Sequence, residues 1–144
     1  MSMVKPLDSL KRLVELRSRE VDRLSADMAS RQGERARYLG NLERLEQLRA
    51  SVGASGLASP ALALNCADYK QAVTAIAAAH REDLALHEAD MALAQQALIA
   101  AARRHEVLDQ VHARKHGEAQ RQERAVEQKQ QDDLAAQVWL RGQP

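Results

Sequence analysis

The chain has no phenylalanine, one tryptophan (Trp139) and two tyrosines (Tyr38 and Tyr69) in 144 residues. So few large side chains cannot fill a compact core. The hydrophobic fraction of 45% is raised by alanine, which buries little area. Cysteine is nearly absent too, and the single Cys66 excludes an intrachain disulfide. No run of about 18 apolar residues exists, so a transmembrane helix is excluded. The opening MSMVKPLDSLKRL lacks the apolar core of a signal peptide, and a cytoplasmic location is expected. An excess of charge is also missing: 21 basic residues stand against 20 acidic ones, for a formal charge of +1. Such a chain carries no broad field to hold nucleic acid or an anionic membrane. Arg103, Arg104, Arg114 and Lys115 are interleaved with Glu106, Asp109 and Glu118, and no aromatics alternate with them to stack on bases. No nucleic-acid partner is expected.

The motifs of chemistry are missing as well. No pair of glycines stands in a phosphate-loop spacing ahead of Lys and Ser or Thr. Cys66 has no histidine nearer in sequence than His80, so no nucleophile is matched with a base. Carboxylate pairs such as Glu82 with Asp83 and Asp132 with Asp133 read as a solvated helix face. His112 and His116 stand four apart and could chelate a metal from one helix. They have no third ligand at a useful spacing, and Ala113, Arg114 and Lys115 supply no glutamate of the zinc-peptidase kind. His80, His87, His105 and His112 fit better as semi-polar members of a helical seam. The expectation is a non-enzyme with no cofactor and no metal.

What is abundant is helix formers: Ala, Leu, Arg, Glu, Gln and Lys. From Leu7 an alternating step of three and four residues passes through Leu10, Val14, Arg17, Val21, Leu24, Met28, Arg31, Arg35, Tyr38, Leu42, Leu45, Arg49 and Val52. Ten of these fourteen are apolar, which is the signature of a seam along one helix face. The four exceptions are all Arg, whose aliphatic stem can lie along a seam while its head reaches water or a carboxylate. Pro6 suits a first helical turn, with Asp8 close behind it. Gly33 and Gly40 are weak points within it, each costing about 1 kcal/mol against alanine.

The stretch Ser51 to Asn65 interrupts this pattern. It holds Gly53, Gly56 and Pro60, with no charged residue from Val52 through Ala67, and helix continuity is expected to fail there. Leu57, Leu62 and Leu64 in a segment expected to be wet suggest that it packs back on the hairpin tip or touches a partner. Ser59 and Pro60 look like an N-cap and a first helical position opening one short turn, with Asn65 or Asp68 capping the helix proper. A second stripe starts at Tyr69, Val73 and Ile76, takes a step of four and four at His80, and runs on through Leu84, His87, Met91, Ala94, Leu98, Ala101, His105, Leu108 and His112. Beyond His112 the same spacing meets Lys115, Ala119, Gln122, Val126, Lys129, Asp133, Ala136 and Leu140, and the apolar seam almost vanishes.

The predicted fold is all-α: an antiparallel coiled-coil hairpin forming a single domain over residues 1 to 144. Helix one spans residues 7 to 50, the hinge 51 to 65, and a longer C-terminal helix 66 to 140. At 1.5 Å per residue the arms measure about 65 Å and about 110 Å. Residues beyond about 115 then have no partner within the chain, and a polar helix without a seam is marginal in water unless another protein holds it. Val126, Leu134, Val138, Trp139 and Leu140 are the apolar groups such a partner would cover.

This pattern resembles the FliJ family, small coiled-coil components of the flagellar type III export apparatus with counterparts in injectisomes. The likeness rests on chain length, the unequal hairpin, the Asn65 to Tyr69 segment opening helix two, and Glu127-Gln128-Lys129 followed by Asp132-Asp133-Leu134-Ala135 near a short tail. It covers essentially the whole chain, and Arg124 to Ala135 is its most distinctive part.

The resemblance implies a stalk-like protein whose terminal helices enter the pore of the hexameric export ATPase and promote its assembly and activity. The matching ring-facing residues are Leu10, Leu13 and Arg17 from helix one, with Gln128, Lys129, Asp133 and Leu134 from helix two. It also implies contact with the cytoplasmic domain of the export gate through Tyr69, Val73, Ile76, Ala79 and His80. Ala72 stands where other members can carry a bulky aromatic. Handling of export chaperones, and peripheral membrane association through the export apparatus at the cytoplasmic face of the inner membrane, follow from the same likeness. The alternative is a generic coiled-coil scaffold or adaptor whose long arm pairs with its own copy or with another helix to form a bundle.

Overall fold

The computed structural model describes residues 4–52 and 59–144, which form two helices and no strand. Helix α1 covers Val4–Ser51 and has 48 residues; helix α2 covers Pro60–Arg141 and has 82. Of the expected hinge, Gly53, Gly56 and Leu57 lie outside the described residues.

The helix ends follow from local chemistry. Pro6 falls in the first turn of α1, where a missing N–H costs nothing because that turn has no acceptor for it. At the other end the Ser51 hydroxyl donates to the Leu48 carbonyl at 2.9 Å, and Arg49 pairs with Glu46 at 2.8 Å. Helix α2 starts at Pro60 rather than at residue 66, as one uninterrupted helix. The Ser59 hydroxyl oxygen accepts from the Leu62 amide at 3.1 Å, its carbonyl accepts from Ala63 at 2.9 Å, and Pro60 takes the first helical position. With that cap in place, neither Asn65 nor Asp68 is needed as a second start. At its far end the Gly142 amide donates to the carbonyls of Val138 and Trp139, at 3.1 and 3.2 Å.

The described chain divides into two compact units, residues 22–99 and residues 1–21 with 100–144. In the first, Met28, Val73 and Ala77 form the buried core, at 7%, 5% and 6% exposure. As residue numbers fall along α1 they rise along α2: Glu46, Arg49 and Ala50 share a cleft with Lys70, Gln71 and Thr74, and Arg35 meets Glu88. In the other unit Ala101, 2% exposed, is the buried residue. Leu7, Leu10, Val14 and Arg17 on α1 and His105, Leu108, Val111, His112 and Ala119 on α2 are half-buried there.

The phase of the second stripe differs from the expectation at its start. Ile76 is 51% exposed, whereas its neighbour Ala77 is buried, and Cys66 and Lys70 are half-buried before it. The covered positions therefore step by four and three through Cys66, Lys70, Val73, Ala77, His80 and Leu84 without the double step of four at His80. The covered position thus carries a small side chain, while the larger isoleucine beside it faces outward. Tyr69 likewise lies outside the seam, at 43% exposure.

Candidate functional site

Within residues 22–99 a polar cluster crosses the seam. The His87 ring is only 11% exposed, and its Nε2 lies 2.8 Å from the Arg31 carbonyl oxygen. A carbonyl only accepts, so Nε2 carries the proton, and Nδ1 lies 3.6 Å from the Glu34 carboxylate. Tyr38 sits between two histidines: its ring centroid is 6.0 Å from His80 at 77° and 5.6 Å from His87 at 40°. Arg35 donates to Glu88 at 2.9 Å, and Arg31 donates to Asp27 at 2.9 Å. That hydrogen bond, with the charge of Asp27 and then those of Asp90 and Glu34, raises the Arg31 pKa above its ordinary value. The cluster fixes register, because its bonds fit one alignment of the two segments and no slipped one.

The five residues of the expected gate contact divide between two faces. Tyr69, Ile76 and Ala79 are exposed and recur at steps of seven and three on α2, which puts them on one side of the helix. Val73 is buried at 5%, and His80 is half-buried against Tyr38. The structure thus presents three of the five as surface and uses the other two to hold that surface in place. Leu62, seven residues before Tyr69 and 42% exposed, lies in line with them. Its spacing from Tyr69 was the available signal.

The expected ring-facing residues lie in the other unit. Leu10 is half-buried, Leu13 is 38% exposed, and Arg17 is half-buried with its guanidinium on Glu20 at 3.1 Å. Arg17 also lines a cleft with Arg103, Arg104, Val107 and Leu108, and Pro6 and Leu7 face Lys115 and Glu118. Gln128, Lys129, Asp133 and Leu134 are all exposed. Gln128 lies thirteen residues past Lys115, about 20 Å farther along the helix at 1.5 Å per residue. The two groups therefore lie at two levels, one on paired helices and one where nothing among the described residues covers α2. Every residue from Gln120 to Pro144 is exposed, including Val126, Leu134, Val138, Trp139 and Leu140 at 56–70%.

The His112 and His116 rings stack at 6.0 Å and 29°. Among the described residues no group of three or more His, Cys, Asp or Glu is placed to hold a metal ion, and no helix is long and apolar enough to cross a membrane. Cys66 is a free, half-buried thiol in an open cleft with Ser51, Val52, Asn65 and Tyr69.

A family model described as Flagellar FliJ protein matches residues 6–144, nearly the whole chain. No curated protein and no solved structure matches it.

Proposed function

We propose, from the premise that the chain belongs to the FliJ family of flagellar export proteins, that it is a stalk-like component which binds the hexameric export ATPase and the export gate. The family is a non-catalytic part of that machinery. In this reading α1 and α2 wind as an antiparallel coiled-coil hairpin, and the longer C-terminal helix projects from it as a ring-binding arm. The observation that supports it is the exposure of α2 from Gln120 onward, with Leu134, Val138, Trp139 and Leu140 left uncovered. A helix of this composition has no core of its own to stabilise it, so a surrounding protein supplies the missing contacts.

The arm inserts Gln128, Lys129, Asp133 and Leu134 among the ring's subunits, while Leu10, Leu13 and Arg17 meet the ring one level away on the paired part. Of these three α1 residues Leu13 is the exposed one, and Leu10 and Arg17 hold it in position. The gate's cytoplasmic domain docks on Tyr69, Ile76 and Ala79, with Val73 and His80 packed beneath. The protein works in the cytoplasm at the inner face of the membrane, attached through the export apparatus, and it passes export chaperones to it.

Truncation after Ala119 tests the ring contact. The shortened chain keeps the covered seam, so in this reading it folds, still binds the gate domain, and no longer stimulates ATP hydrolysis by the hexamer. Full stimulation by the truncated chain would refute the arm's role.

A further inference from the structure

The unit of residues 22–99 carries a second stripe on α2, separate from the seam that faces α1. Alternating steps of three and four join Ile76, Ala79, Asp83, Leu86, Asp90 and Leu93, all of them exposed. Ile76, Leu86 and Leu93 expose 51%, 68% and 66% of their surface. Single exposed leucines are ordinary. Leu86 and Leu93, however, stand one heptad apart with Ala79 one heptad before them, and that is the repeat on which another helix seats.

The charges bordering the stripe say what kind of helix. Asp83 and Asp90 are also one heptad apart, and among the described residues no salt bridge reaches either. Across on α1, Asp27 binds Arg31 at 2.9 Å, and Asp90 and Glu34 lie close enough to act on the same guanidinium. Asp27 thus holds the guanidinium on which Asp90 and Glu34 also act, and among the described residues no salt bridge reaches Asp83. A helix that covered Asp83 and Asp90 with apolar groups alone would bury Asp83 without an ion-pair partner and Asp90 with only the influence of an Arg31 already bound by Asp27, which is unfavourable. A helix bringing cations at the same spacing would gain from both.

We infer that the Ile76 to Leu93 stripe docks an amphipathic helix of a partner protein, one whose apolar seam carries Lys or Arg seven residues apart opposite Asp83 and Asp90. The stripe shares Ile76 and Ala79 with the proposed gate surface, but its occupant does not depend on the export reading: the probes below contain neither ring nor gate, so the two ideas fail separately.

The test uses the full chain and two synthetic 28-residue helices labelled with fluorescein. Both carry Leu and Ile in a three-four repeat; one has Arg at two seam positions seven apart, and the other has Glu there. Fluorescence anisotropy is expected to show the Arg helix binding at least tenfold more tightly than the Glu helix. In Asp83→Lys/Asp90→Lys that order reverses. Leu86→Glu/Leu93→Glu loses binding of both, with circular dichroism unchanged because the two side chains are exposed. Equal affinity for the two probes, or no binding of the Arg helix by the unsubstituted chain, would overturn the inference. So would a dimer in sedimentation velocity that Leu86→Glu/Leu93→Glu abolishes, since the stripe would then belong to a second copy.

Discussion

His87 on α2 reaches across the seam to the main chain of Arg31 on α1, its Nε2 2.8 Å from the carbonyl oxygen. That carbonyl belongs to a helix turn, so the imidazole adds a second bond to an oxygen already used in α1. The ring is nearly covered, at 11% exposure, whereas the Arg35–Glu88 pair beside it is almost half exposed on both sides. The covered bond should therefore outweigh the charged one. His87→Ala is expected to cost about 2 kcal/mol, from the lost hydrogen bond and the space left against Tyr38. Glu88→Ala should cost less than about 0.5 kcal/mol, since an exposed ion pair is screened and entropically expensive. Urea unfolding of the two variants separates the contributions; equal losses would contradict this ranking.

The seam phase gives a second pair. Ala77 is buried and Ile76 is half exposed, the reverse of what side-chain size suggests. Ala77→Leu adds bulk at a buried position and is expected to destabilise by about 1–3 kcal/mol. Ile76→Ala removes a larger group yet should stay within about 0.5 kcal/mol. Thermal unfolding followed at 222 nm reads both.

The sequence carried the α1 seam almost residue by residue. Of the fourteen positions from Leu7 to Val52, twelve are buried or half-buried, and only Arg35 and Arg49 are exposed. Those two are arginines on ion pairs with Glu88 and Glu46, where a long stem meets its partner outside the seam. On α2 the stripe was legible from His80 to His112, and the loss of coverage after Ala119 was visible as a loss of apolar residues. The start was not legible, because hydrophobicity favours Ile76 over Ala77 whereas the packing covers Ala77 and exposes Ile76. Helix α2 begins six residues before the expected start because a serine cap and a first-turn proline suffice to open it. The Tyr38, His80 and His87 cluster was not legible, since it depends on which residues of two distant segments lie opposite each other. For the set expected to meet the gate, spacing alone could not separate exposed Tyr69, Ile76 and Ala79 from covered Val73 and His80.

Gly33 and Gly40 sit inside α1, and a Cβ at either meets nothing within 4 Å. Replacement by alanine is expected to stabilise by about 1 kcal/mol at each site, through helix propensity alone. Urea midpoints should rise for each variant and nearly add in the double one, the sites being two turns apart.

Ser59 carries the start of α2 through its bond from the Leu62 amide. Ser59→Ala is expected to weaken that end by about 1 kcal/mol, and Ser59→Asp to preserve it. Amide exchange at residues 61–64 is the direct reading, faster in the first variant and unchanged in the second.

The most direct test of the stalk reading is hydrogen exchange over residues 120–141, with and without the hexameric export ATPase. The free protein should exchange these amides quickly at low concentration, because nothing among the described residues covers them. Addition of the ATPase should slow them at least tenfold around Gln128 to Leu134 and leave residues 73–101 unchanged. Protection already complete in the free protein, or exchange indifferent to the ATPase, would contradict the account.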